Sequence, residues 1–159
     1  MPLLNYYSKV PAHESITEIS RLLAKAGARQ IMHDYDDAGN IVALSFSLEL
    51  EGQHIGFRLP TDWHPIQHML VELRRKNRKI GTFITTEDHA RNVAWRIVKD
   101  WVEAQLAIIE TRMVTTAQVF LPYAVTANGQ TLYEYIGNNT NLLLGTGTAP
   151  PQPTGKEEK

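Results

Sequence analysis

TEDHARNVAWRIVKDWVEAQLAIIETRM, residues Thr86 to Met113, is the stretch that decides the fold. No proline or glycine interrupts it, and it holds two of the three tryptophans. Thr85 and Thr86 can each serve as an N-cap, because a side-chain oxygen there accepts a hydrogen bond from a free N–H of the first turn. Glu87 and Asp88 follow, where carboxylates favour the positive end of the helix dipole. Thr85 to Asp88 has capping-box spacing, with Asp in place of Glu or Gln. Apolar residues recur at Ala90, Ala94, Ile97, Val98, Trp101, Val102, Ala104, Leu106, Ile108 and Ile109. Most follow the three-and-four spacing of one helical face. The pattern predicts a central helix of about 25 residues, about 37 Å long. Its stripe is wide, which implies burial on more than one side. Ala94, Trp101 and Ile108 recur every seven residues and form a candidate homo-oligomer seam, although sustained heptads are absent.

Upstream of this helix lies the strongest charge feature. Arg74, Arg75, Lys76, Arg78 and Lys79 put five cations within six residues. The net charge of −1 conceals this: residues 73–100 hold eight basic and three acidic residues, residues 1–72 five basic and nine acidic. The cluster ends a predicted helix that Thr61 or Asp62 caps, with Pro65 in its first turn and Ile66, Met69, Leu70 and Leu73 as its stripe. Ile80 to Ile84 reads as a short extended link to the central helix.

Further upstream, Val42, Leu44, Phe46, Leu48 and Leu50 alternate with Ala43, Ser45, Ser47 and Glu49. This is a strand with one dry and one wet face. Gln30 to Asp36 and His54 to Leu59 read as its neighbours, joined through Asp37-Ala38-Gly39-Asn40 and Glu51-Gly52-Gln53 turns. Before them, Ser15 to Glu18 matches a capping box opening a helix with Ile16, Ile19, Leu22, Leu23 and Ala26 inward and Gly27 as C-terminal cap. Leu3 to Val10 reads as an edge strand. Downstream, Thr115 or Thr116 caps a short helix through Leu121, and Asn128-Gly129 marks a turn. Thr131 to Ile136 is open between strand and helix. The order gives an α+β domain over 1–137: an antiparallel meander of three or four strands packed against the long central helix and shorter helices. Residues 138–159, ending in GTGTAPPQPTGKEEK, read as a flexible, largely disordered tail.

The composition is that of a soluble globular chain, 43% hydrophobic and 21% charged. The absence of cysteine excludes disulfides, thiol catalysis and cysteine-held metals. No secretory pattern or membrane-length apolar run is present, and a cytoplasmic location is expected. His64 and His68 have helical metal-ligand spacing, but no glutamate and no third ligand accompany them. Asp34 to Asn40 starts like a calcium loop but has Ala38 and Ser45 where ligands are needed. No nucleophile elbow or phosphate-cradling glycine loop occurs. The expectation is a protein without catalytic residues, metal or cofactor.

VAWRIVKDWVEAQLAIIE, followed by VFLPYAV and TLYEYI, together with DYDDAGNIVALSF, resembles a pattern in small proteins of phage and prophage type. The resemblance spans most of residues 5–136 and implies a mobile-element accessory protein, with no residue roles attached. The element order also resembles the double-stranded-RNA-binding domain, but Glu87, Asp88 and His89 stand where that family has its lysines. The expected function is therefore non-enzymatic binding of DNA or RNA phosphates by Arg74, Arg75, Lys76, Arg78 and Lys79, extended by Arg91, Arg96 and Lys99. The alternative is a protein-interaction or inhibitor module that homo-oligomerises through the central helix.

Overall fold

The computed structural model describes residues 3–143. It is an α+β fold in the order α1 (Ala12–Lys25), β1 (Gln30–Tyr35), β2 (Ile41–Leu50), β3 (Gln53–Arg58), α2 (His64–Lys76), α3 (Glu87–Glu110), α4 (Thr116–Phe120) and α5 (Leu132–Asn138). Single 3₁₀ turns lie at Thr82–Thr85, Leu121–Tyr123 and Thr140–Leu142. The three strands form one antiparallel sheet in sequence order. Phe46 of β2 pairs with Ile31 on one side and Phe57 on the other, so the dry residues of all three strands share one face. Glu51 and Gly52 both have positive φ (50° and 79°), the backbone that a two-residue hairpin needs to match strand twist. No fourth strand forms among the described residues. The outer edge of β3 instead meets Ala124 and Val125, with the Val125 N–H donating to the Gly56 carbonyl at 2.8 Å.

The dry face packs under α1 and α3. Leu44, Phe46, Leu48, Phe57 and Leu59 join Ile16, Ile19, Leu23, Trp95, Val98, Val102 and Phe120 in the main core. Phe120 comes from α4, which Thr115 and Gln118 start with a reciprocal capping box. A second, smaller cluster of Leu70, Ile80, Ile84 and Ala90 ties α2 to α3.

The central helix spans 24 residues and uses Thr86 as N-cap, with its hydroxyl accepting from the His89 N–H. Its buried face runs through Ala90, Val93, Ala94, Trp95, Val98 and Val102. Ala104 is exposed, and Val93 and Trp95, outside the expected stripe, lie within the core. The shift arises because α3 faces α1 and the sheet on one side and α2 on the other. The residues expected as a dimer seam lie mostly within the chain. Ala94 is buried, and the Trp101 ring meets Phe120 and Tyr123 edge-on at 5.9 and 5.3 Å.

Four local expectations are corrected. Leu3–Val10 is a turn rather than an edge strand: Asn5 has φ 61°, and its side-chain amide donates to Asp100 at 2.7 Å. α1 starts at Ala12, not Ser15, because Asn92 of α3 accepts the Ala12 N–H at 2.8 Å. Ile80–Ile84 is not extended, since Ile80 and Ile84 turn inward around a 3₁₀ helix. Met69 of α2 is exposed rather than buried. Gly27 (φ 101°) does end α1: the Ala28 N–H donates to the Leu23 carbonyl and the Gly27 N–H to that of Ala24, the Schellman arrangement. Thr131–Ile136 is helical, started by a Thr131–Glu134 capping box. Of the expected tail, residues 138–143 end α5 and form a 3₁₀ turn, and 144–159 lie outside the described residues.

Candidate nucleic-acid interface

α2 presents its last turn as a cationic end. Pro65 sits in its first turn, and Asp62 accepts from the His64 backbone N–H at 3.0 Å and lies 2.7 Å from His64 Nδ1. The imidazole and backbone hydrogen bonds hold the Asp62 carboxyl below its usual range. Leu70 is fully buried and fixes the rotation of the helix, so that Val71, Glu72 and Arg75 turn to solvent. Asn77 then stops the helix, and its side-chain oxygen accepts from the Lys79 N–H at 3.2 Å. Buried Ile80 and Ile84 draw the following chain back along α2, and Gln67 Nε2 donates to the Thr85 carbonyl at 3.2 Å.

This return path creates a cleft of about 420 Å³ lined by Val71, Arg74, Arg75, Arg78 and Thr85. Three arginines thus line one open space. Arg74 Nε is shielded from solvent and has no hydrogen-bond partner among the described residues. Arg75 pairs with Glu72 at 3.1 Å, a pair exposed on both sides and therefore weak enough to exchange for a ligand anion. Arg78, Lys76 and Lys79 are exposed, with no ion pair among the described residues. A planar guanidinium can grip a phosphate through two parallel N–H groups, which suits arginine here better than lysine.

The other three cations expected in the patch are elsewhere and occupied. Arg91 lies near Asp36 (3.7 Å), Glu87 (3.7 Å) and Asp88 (3.9 Å), with its guanidinium carbon 4.8 Å from the Trp63 ring centre. Arg96 pairs with Glu18 at 3.3 Å and Asp100 at 3.7 Å. Lys99 is buried against Glu18, Asp100 and Glu103. The Glu103 hydrogen bond holds the Lys99 ammonium above its ordinary pKa, against the opposing effect of burial. These side chains tie α3 to α1 and to the β1–β2 turn, and their charge is neutralised locally. Helical spacing alone placed them on a polar face, but acids from distant elements meet them there.

Asp34 to Asn40 forms a hairpin turn. The Asp36 carboxylate accepts from the backbone N–H of Ala38 and from both N–H sources of Asn40. The Asn40 side chain and then its backbone hold the Asp36 carboxyl below the usual value. A depressed carboxyl contributes stability that is complete above its unfolded pKa of about 3.9 and is lost as pH falls through its lower folded value. Asp36→Asn is therefore expected to be less stable than the native chain at pH 6, with the gap closing below about pH 4. Urea midpoints at a series of pH values check this; a gap that stays constant into acid overturns it.

Among the described residues no group of three potential metal ligands assembles. His64 is engaged by Asp62, His68 is exposed, and His89 Nε2 lies 2.7 Å from the Tyr6 carbonyl oxygen. No described helix is long and apolar enough to cross a membrane. The sequence reading found the five clustered cations but missed Val71 and Thr85. Thr85 reaches the cleft only through the 3₁₀ turn, for which hydrophobic spacing gives no signal. Comparison with protein-family models, curated proteins and solved structures returns no match.

Proposed function

We propose that this chain binds nucleic acid through phosphate contacts made by Arg74, Arg75 and Arg78, with Lys76 and Lys79 adding to the local field. The observation that carries this reading is that three arginines line one solvent-open cleft, where only Arg75 has an acidic partner among the described residues. Phosphate binding of this kind positions a strand without reading its sequence. The role is that of a non-enzymatic accessory protein acting in the cytoplasm. Its phage or mobile-element character rests on the sequence resemblance.

The test is a titration of labelled DNA and RNA at several salt concentrations, for the native chain and for one carrying Arg75→Ser, Lys76→Ser, Arg78→Ser and Lys79→Ser. These four side chains are exposed, so the fold is expected to persist. If all four contact phosphates, the logarithmic salt slope falls by about 3 on single strands and somewhat more on duplex. Equal slopes and affinities for the two proteins, or no native binding at low salt, overturn the proposal.

A second reading, homo-oligomerisation through the central helix, draws on a cleft of about 290 Å³ that includes Ile66, Ala94, Ile97, Trp101 and Tyr123. Part of the seven-residue stripe borders solvent there. Sedimentation at increasing protein concentration separates a dimer from a monomer.

A further inference from the structure

In the same 3₁₀ turn that brings Thr85 to the arginine cleft, Phe83 stands 44% exposed. Beside it is Tyr7, 47% exposed, with the ring centres 6.3 Å apart and the planes tilted by 42°. Ile84, between Phe83 and Thr85 in sequence, is fully buried and anchors the turn. A 3₁₀ helix rises about 2 Å per residue, so Phe83 and Thr85 are separated by about 4 Å along its axis. The aromatic pair and the arginine cleft are thus linked through one turn.

The aromatic pair is held in place. The Phe83 ring packs T-shaped against His89, with centres 5.2 Å apart and planes at 82°. A carbonyl oxygen only accepts, so His89 Nε2 donates to Tyr6 and fixes the segment that carries Tyr7. Asn5, bonded to Asp100, holds the same segment at the residue before Tyr6. The Phe83 ring lies against Gly81: a Cβ on that glycine would come within 2.9 Å of Cδ1 and 3.0 Å of Cε1. Gly81 has φ −59° and ψ 152°, which any residue adopts, so the glycine is needed for the ring and not for the backbone.

From this arrangement we infer that the ligand is single-stranded nucleic acid, with a phosphate in the arginine cleft and a neighbouring base stacked on Phe83 and Tyr7. The inference rests on the phosphate-binding reading of the cleft and adds the base. An unpaired base offers its face to an aromatic ring, and stacking of this kind tolerates any sequence. A duplex keeps its base faces stacked on one another, so Phe83 and Tyr7 gain nothing from it.

The test uses fluorescence anisotropy with oligo-dT and oligo-U of about 12 nucleotides, within the roughly 4–16 that single-strand sites cover. A duplex of equal length and inorganic polyphosphate are the comparisons. The proteins are the native chain, Phe83→Ala, Phe83→Tyr, Tyr7→Ser, which is expected to weaken single-strand binding as Phe83→Ala does, and Gly81→Ala, which displaces the Phe83 ring without removing it. Phe83→Ala is expected to weaken single-strand binding by about 5- to 150-fold, the range for loss of one stacked base. Gly81→Ala shifts it in the same direction, Phe83→Tyr retains it, and duplex and polyphosphate affinities stay within about twofold. Oligo-dU, which differs from oligo-U only at the 2′ position, is titrated beside them, and greater affinity for one of that pair identifies the preferred sugar. If Phe83→Ala and Gly81→Ala both leave single-strand affinity unchanged while polyphosphate still binds, stacking is refuted and the phosphate reading survives. If the native chain binds no polyanion at low salt, both fall.

Discussion

Phe120→Ala is expected to lower the unfolding free energy by about 3–5 kcal/mol, the usual loss when a buried phenylalanine leaves a cavity. Phe120 is fully buried, although it belongs to a helix of only five residues. Its ring lies 5.5 Å from Phe46, 6.1 Å from Phe57 and 5.9 Å from Trp101, so one side chain joins two strands and the central helix. A short helix has little stability of its own, and removing this anchor releases the segment around it. The midpoint in urea should fall with little change in slope, because the transition remains that of the same core. Phe120→Leu, which keeps most of the volume, should lose clearly less. A loss below about 1 kcal/mol for the alanine variant would show that α4 is not part of the cooperative core.

Leu70→Ala is the second large effect, and its character differs. Leu70 is fully buried in the small cluster with Ile80, Ile84 and Ala90, apart from the main core. The transfer and cavity terms again amount to about 2–5 kcal/mol locally. α2 leans on α3 and on the 3₁₀ turn, so the loss is expected first as local opening of residues 64–85 rather than as global unfolding. Native-state hydrogen exchange should show α2 amides losing protection while β2 and α1 keep theirs. On the proposed phosphate-binding role, nucleic-acid affinity should fall too, although no charge is removed, because the arginine cleft exists only while the return path from Asn77 to Thr85 is packed. Uniform loss of protection across the chain would mean that the two clusters unfold as one unit.

The parts of the fold legible in the sequence are those set by neighbours in the chain. β2 announced itself through strict alternation, and the central helix through its length and the absence of breakers. Both end within a residue or two of their expected limits. Thr131 to Ile136 stayed open because alternation over six residues cannot decide, and the Thr131–Glu134 capping box that starts the helix was missed. What else escaped depends on distant partners. Pro11 caps α1 with no side-chain bond, so nothing near Ala12 marks the helix start. The orientation of α3 depends on which elements flank it, and this moved Val93 and Trp95 inside. At the candidate site the same division holds. The five clustered cations are a local pattern; the pairing of Arg91 with Asp36 and of Arg96 and Lys99 with Glu18 is a property of the assembled fold.

The bond from the Ala12 N–H to Asn92 Oδ1 joins residues 80 apart in the chain. A ribosome adding about 5–20 residues per second makes Asn92 some 4–16 s after Ala12. During that interval α1 lacks its side-chain acceptor, and the sheet, complete by Arg58, lacks the helix that covers Leu44, Phe46 and Phe57. The nascent chain therefore carries an apolar sheet face that only α1 can cover for several seconds. Over that interval a holdase has a binding surface that the finished protein no longer offers.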